Sequence, residues 1–309
     1  MNLTTLYMQI IIMFLLMGLG ALFYRRGIIS DRGSKDFSAL LLNFVAPCVI
    51  IHSFERTYDP SMAGQLIQSF FLTFLLTALS AVIATLFFRR SVRDYADCRM
   101  CSVFPNNGFM ALPLLEALCG SNGIFLGSVS IVVTNIFLWT YGVQLLTTAA
   151  GHASHVINWK KIFFNPGTIG FYLGLLVFLA PIELPSVIAA PIEYLSNLNT
   201  PLAMLVLGVY LAQSNLLDIL KDRSMYLVSL VRLIIIPAVS IALILLLPFD
   251  PQVEQVVLIG ISTPCAIAAS MLAQQYGTNY RYSSRIIAFS TLLSAISLPI
   301  VLSIYQILI

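Results

Sequence analysis

Charge is what this sequence has least of. Only 9% of its 309 residues are Asp, Glu, Lys or Arg, against about 25% in an ordinary soluble protein. With 59% hydrophobic residues, a water-soluble fold of this length has too little interior to hide its apolar surface. Catalytic signatures are missing as well. There is no H-E-x-x-H of a zinc protease, no G-x-S-x-G nucleophile elbow and no aspartate pair inside an apolar segment. An enzyme is therefore not expected, and neither are a cofactor, a metal site or a nucleic-acid partner. The five cysteines are odd in number and lie mostly in apolar segments, so they form no disulfide framework. Cys98 and Cys101 make a C-x-x-C with no second pair and no nearby His, and read as two thiols a turn apart on one helix. The first apolar run, Leu3 to Tyr24, lacks a basic leader and a small-residue cleavage site, so it reads as a retained helix.

What the chain does have is apolar runs of the length that crosses a bilayer, about 20 residues each. They fall at 4–24, 34–54, 64–88, 96–119, 123–147, 163–180, 187–212, 224–247, 253–275 and 283–307. The loops after odd-numbered spans hold 14 of the 16 Lys and Arg, from Arg25 and Arg26 through Arg99, Lys160, Lys161, Lys221 and Arg223 to Arg281 and Arg285. Loops after even-numbered spans hold one, Arg56, and Arg232 lies inside a span. By the positive-inside rule the odd loops are cytoplasmic and both termini face outward. The expected location is a cytoplasmic (inner) membrane, with the lipid bilayer as solvent.

The two halves of the chain echo each other. Asn43-x-x-x-Pro47 in the second span returns as Asn197-x-x-x-Pro201 in the seventh, 154 residues later. Pro105 answers Pro264 at 159 residues, and Gly120-Ser-Asn answers Gly277-Thr-Asn at 157. Five spans per half is an odd number, so the second copy must insert upside down. The expected fold is all-α and integral to the membrane: ten transmembrane helices in two inverted five-helix repeats. Residues 1–150 form the first repeat, 151–162 a cytoplasmic linker and 163–309 the second repeat.

Helix breakers gather in the fourth and ninth spans. The fourth reads Phe104-Pro105-Asn106-Asn107-Gly108 with a further Pro113, and the ninth reads Ser262-Thr263-Pro264-Cys265-Ala266. Proline removes a backbone donor and clashes with the carbonyl four residues back. In lipid the freed groups survive only within protein or beside water. Interrupted segments at matching positions of inverted halves point to a transport site. The N-terminus of each second half-helix suits an anion there.

These segments resemble the auxin efflux carrier family, which includes plant auxin exporters and bacterial carriers of malate, malonate and related acids. The resemblance runs over nearly the whole chain. It is most specific at Leu41-Leu-Asn-Phe-Val-Ala-Pro47, Phe104-Pro-Asn-Asn-Gly-Phe-Met-Ala-Leu-Pro-Leu114, Arg232-Leu-Ile-Ile-Ile-Pro237 and Ser262-Thr-Pro-Cys-Ala-Ile-Ala-Ala-Ser270. It implies that helices 4 and 9 cross at their broken midpoints, with a scaffold part and a moving transport part, similar to bile-acid/sodium symporters. It also implies that Asn106 sits beside a substrate carboxylate. The equivalent in the ninth span is Cys265, where the family often has an amide, and the loop between the halves is short, as in the bacterial carriers.

The function expected is secondary transport of a small organic anion, a mono- or dicarboxylate, by alternating access. The alternatives are a sodium-coupled carrier like the bile-acid symporters, or a membrane sensor or channel. The expected substrate site comprises Pro105, Asn106, Asn107, Thr263, Pro264, Cys265, Arg232, Asn43, Asn197 and Asn199. A charge at the bilayer centre costs about 2.5 to 3.5 kcal/mol, so Arg232 either has an internal role, binding the anion or holding the crossover by hydrogen bonds, or snorkels toward the cytoplasmic surface about two turns away. Asn43, Asn197 and Asn199 precede prolines and serve either substrate or local carbonyls. Asn135, Gln274 and Gln275 read as interhelical hydrogen-bonding groups. Glu116 is a candidate proton carrier, and Asp94 and Asp97 read as solvated or ion-paired among arginines. A coupling proton or sodium ion and a homodimer are left open.

Overall fold

A computed structural model describes residues 3–151, 157–180, 184–214 and 222–308. His152, His155 and Lys221 lie outside the described residues. Among those described the chain is helical, with no β-strand. In order the helices are α1 (Leu3–Arg25), α2 (Asp31–Phe54), α3 (Pro60–Phe87), α4 (Tyr95–Val103) and α5 (Asn107–Ala149). The short α6 (Trp159–Phe163), α7 (Pro166–Leu179), α8 (Ser186–Gln213) and α9 (Arg223–Ile244) follow. The last three are α10 (Pro251–Ser262), α11 (Ile267–Tyr276) and α12 (Tyr280–Leu308). Seven of them, α1, α2, α3, α5, α8, α9 and α12, are long and apolar enough to cross a membrane. Helix is the natural answer to such a sequence, because lipid offers no partner to an open backbone donor or acceptor.

Local chemistry sets the helix ends. Asp59-Pro60, Asn165-Pro166 and Asp250-Pro251 repeat one device, in which the acid or amide side chain caps the helix and proline opens it. The cap satisfies an orphan N–H and the proline fills a position whose N–H has no acceptor. Inside the helices, prolines widen the ladder. Pro47, Pro113 and Pro237 each follow a π-helical turn, at Leu41–Val45, Asn107–Ala111 and Val231–Ile235. With the proline donor missing, the preceding residue reaches one carbonyl further back: Ala46 N to Leu41 O, Leu112 N to Asn107 O and Ile236 N to Val231 O. Such turns collect at functional sites, and here they carry Asn43, Asn107 and Arg232. A fourth, at Leu138–Gly142, has no proline to account for it.

Helix α5 is two legs. Gly120 breaks it with φ 61° and ψ −154°, a conformation that favours glycine. Beyond the break the second leg folds back on the first, so that a Cβ on Gly123 would stand 2.7 Å from the Leu115 carbonyl oxygen.

Close helix pairs use glycine for contact. A side chain on Gly20 of α1 would overlap the Leu205 backbone of α8, and one on Gly208 would overlap the Met17 backbone of α1. In a second pair, a Cβ on Gly170 of α7 would meet Pro47 Cα at 2.8 Å, and one on Gly174 would meet the Phe54 ring at 2.9 Å. Small residues at such crossings let backbones approach where apolar driving force between helices is weak. The outer faces stay greasy: Leu86 is 65% exposed, Val187 82% and Leu246 80%, as expected where the solvent is lipid.

Candidate functional site

Two helices stop and restart beside each other. Between α4 and α5 the chain leaves the helical conformation at Phe104–Asn106, and between α10 and α11 at Thr263–Ala266. The two stretches pair antiparallel, Pro105 against Cys265. Asn106 N donates to Pro264 O at 2.9 Å, and Ala266 N donates to Phe104 O at 2.9 Å. Proline is suited to both strands. Pro105 sits between the two bonds, where no donor is needed. Pro264 has no N–H to give the Asn106 carbonyl, which instead accepts from Met110 N and Ala111 N at 3.1 and 3.0 Å. The break in one helix thus completes the start of another.

Arg232 closes the other side. It is fully buried, and its guanidinium donates to three backbone carbonyls: Ser102 at 3.2 Å, Ile261 at 2.7 Å and Thr263 at 3.0 and 2.8 Å. Those carbonyls belong to the C-terminal ends of α4 and α10, which lost their donor partners at the break and carry the negative ends of the helix dipoles.

The N-terminal ends face a cavity of about 420 Å³. Its wall includes Pro105, Asn106, Asn107 and the first turn of α5, together with Ala266, Ile267 and Ala268 at the start of α11. Asn106 Oδ1 caps Phe109 N at 3.4 Å, while its Nδ2 is buried without a partner. Asn107 Nδ2 donates to Thr134 Oγ1 at 2.8 Å, tying the crossover to the second leg of α5. Further along the wall, Asn165 Nδ2 donates to Asn135 Oδ1 and Asn135 Nδ2 donates to Thr168 Oγ1, both at 3.3 Å. Among the described residues, no Lys, Arg or His is part of the cavity wall.

Of the residues expected from sequence, Asn43, Pro105, Asn106 and Asn107 line this cavity. Thr263, Pro264 and Cys265 stand at the crossover beside it, and Cys265 N accepts no helical role but donates to Ser290 Oγ at 3.3 Å. Arg232 lies behind, on the carbonyl side. Asn197 is exposed. Asn199 is fully buried next to Glu116, whose carboxylate accepts from Thr200 Oγ1 at 3.0 Å. Asn197 and Asn199 are not in the cavity wall. Thr134, Asn135, Trp139, Asn165 and Gln275 are in it; the Asn165-Pro166 helix-start signature was the available signal for one of them.

Two charged residues depart from their sequence-level reading. Asp97 is 2% exposed and has no arginine partner among the described residues; it accepts from Thr278 Oγ1, Ser283 Oγ and Asn279 N, at 3.1, 2.8 and 3.3 Å. Arg99 lies on α4 rather than in a loop, and its Nε donates to Phe88 O at 2.7 Å. Asp94 does pair with Arg93, at 3.5 Å.

Several long apolar helices, and two more that break and restart against one another at a cavity, define a multi-pass membrane protein. The sequence profile of the family described as "Membrane transport protein" matches residues 5–302, and the chain belongs to that family, the auxin efflux carrier family of transporters. It is 28% identical over 278 residues to an "uncharacterized transporter" of Methanothermobacter thermautotrophicus, covering 89% of this chain and 90% of that protein. It is 28% identical over 158 residues to "probable auxin efflux carrier component 1b" of Oryza sativa subsp. japonica, covering 50% of this chain and 28% of the plant protein. With "auxin efflux carrier component 1" of Arabidopsis thaliana the identity is 26% over 157 residues, covering 50% of this chain and 25% of that protein.

Proposed function

We infer that this transporter is a secondary carrier of a small organic anion, a mono- or dicarboxylate, working by alternating access around the crossover. The single observation that carries the reading is the unpaired Nδ2 of Asn106, buried where the first turns of α5 and α11 converge on one cavity. A buried donor without an acceptor costs about 1 to 3 kcal/mol, and a carboxylate is the ligand that would satisfy it. Two helix N-termini add free N–H groups and the positive ends of two dipoles. A wall whose described residues include no cationic side chain suits a ligand held by these partial charges and released again. Pro105, Asn107, Pro264 and Cys265 shape the crossover, Asn43 faces it, and Arg232 and Thr263 hold its carbonyl side together.

The architecture we propose is ten transmembrane helices in two inverted five-helix repeats, 1–150 and 163–309, with both termini outside an inner membrane. The hairpin at Gly120 supports it, because it makes two passes of α5. The glycine-mediated pairs support it too. An inverted duplication that exchanges the first helix with the sixth, and the second with the seventh, turns the α1–α8 contact into the α2–α7 contact. Both are present.

The test is uptake of a radiolabelled carboxylate panel into proteoliposomes preloaded with counter-substrate, for wild type and Asn106→Ala. Saturable, trans-stimulated uptake that is lost in the variant is the expected result. Uptake without saturation or trans-stimulation would overturn the carrier, and full uptake by the variant would overturn the site.

A further inference from the structure

Among the described residues the cavity wall holds no cation, yet one ammonium touches it from outside. Lys161 Nζ stands 4.5 Å from the ring centroid of Trp139, and Trp139 is part of the wall. Among the described residues no carboxylate pairs with Lys161, and its side chain is exposed. Its backbone is nevertheless fixed. Asn158 caps α6 through Oδ1 to Lys161 N at 3.3 Å, and the neighbouring Ile162 is 2% exposed and anchors the turn. The chain then runs directly into Asn165, Pro166 and Gly167, which line the same cavity. Lys161 therefore sits at the cavity mouth.

Trp139 connects that mouth to the crossover. It follows Thr134, the partner of Asn107, by five residues on the same helix, a rise of about 7.5 Å. Its Nε1–H is buried without an acceptor. A cation resting on an aromatic face is held by the ring quadrupole and stays free to meet an anion. A single positive charge at the rim of a low-dielectric cleft raises the local concentration of anions there.

We propose that Lys161, held on the indole of Trp139, is the group that captures the substrate carboxylate at the mouth and hands it to the crossover. The proposal rests on the organic-anion reading above, and it assigns capture to the side of the membrane that bears the Lys160–Lys161 segment. The orphan Trp139 N–H is the next donor the carboxylate meets on its way inward. Lys161 makes the first contact with the carboxylate; the crossover amides make the final ones.

Two measurements test this. Trp139 and Trp159 are the two tryptophans of the chain, so Trp159→Phe leaves Trp139 as the one indole reporter. Sodium malonate and sodium butyrate, titrated against sodium chloride at matched ionic strength, are expected to change its emission, and Lys161→Gln in the same background is expected to abolish the change. Equal responses with and without Lys161, or no response in either, would overturn the proposal. In proteoliposomes, Lys161→Gln is expected to raise KM about five-fold or more from the Lys161 side alone, with kcat unchanged and the difference fading toward about 1 M salt. Lys161→Arg is expected to restore KM. An unchanged KM at low salt, or a fall in kcat alone, would overturn capture. If wild type transports no carboxylate, the carrier reading fails by itself, and the fluorescence titration still judges the mouth.

Discussion

Arg232 gives two of its hydrogen bonds to one acceptor, the Thr263 carbonyl, from Nε at 3.0 Å and Nη2 at 2.8 Å. The remaining two reach Ile261 and Ser102, so one side chain bridges the ends of α4 and α10. Hydrogen bonds from a charged donor contribute about 1.5 to 3 kcal/mol each, and carbonyls stranded without a donor add to the loss. Arg232→Ala should therefore be among the most destabilising single changes in the chain, costing more than about 3 kcal/mol. Arg232→Lys should fall between, since an ammonium lacks the planar fork that reaches several carbonyls at once. Thermal unfolding in detergent checks both, and a wild-type midpoint for Arg232→Ala would dissolve the bracket.

Asn106 separates capping from binding. Its Oδ1 caps Phe109 N while its Nδ2 is free. Asn106→Asp keeps the acceptor and removes the donor, placing a negative charge where an anion should dock. The variant should fold with a midpoint near wild type and transport nothing measurable. Asn106→Ala should lose transport and also about 1 kcal/mol of cap stability. Comparing melting with uptake distinguishes the two roles. Transport by Asn106→Asp at the wild-type rate would exclude the amide donor from the site.

The breaks themselves were legible in the sequence, because proline announces its missing donor. Pro105 and Pro264 marked where two helices would stop, and both do. What the breaks do for each other was not legible: the acceptors of Arg232 are backbone carbonyls, which every residue owns and no letter records. The same limit hid the pairing of Phe104 and Asn106 with Ala266 and Pro264. Asn197 and Asn199 looked equivalent in front of Pro201, yet their different directions around α8 leave the first exposed and bury the second against Glu116. Asp97 was misread for a related reason. Its arginine neighbours are close along the chain, while its hydroxyl and amide partners lie about 180 residues away. Proximity in sequence is a poor guide to the partners of a buried charge.

Asp97 joins the start of α4 to the α11–α12 turn through three donors. Asp97→Asn keeps the shape and replaces one acceptor oxygen by a donor that faces Thr278, Ser283 or the Asn279 N–H. Each mismatched bond should cost about 1 to 2 kcal/mol, and the turn at Gly277 should loosen before the rest of the protein. Hydrogen exchange at Thr278 and Asn279 is the direct readout. Faster exchange there with little change at the crossover is expected, and global acceleration would mean that the acid supports the whole fold.

Glycine at the α1–α8 contact gives the sharpest contrast, since one helix carries both a demanding and an indifferent site. A Cβ on Gly18 of α1 would meet nothing within 4 Å, whereas one on Gly20, two residues on, would overlap the Leu205 backbone. Gly18→Ala should be neutral or slightly stabilising, because alanine restricts the unfolded chain and favours helix by about 0.5 to 1 kcal/mol. Gly20→Ala and Gly208→Ala must push two backbones apart, and overpacking of this kind costs about 1 to 3 kcal/mol or more. Folded yield and melting midpoint of the three single variants, measured side by side, decide the point. If Gly20→Ala and Gly208→Ala behaved like Gly18→Ala, the close packing of α1 on α8 would be wrong. The pseudo-symmetric match to the α2–α7 pair, and with it a main support of the inverted repeat, would then be lost.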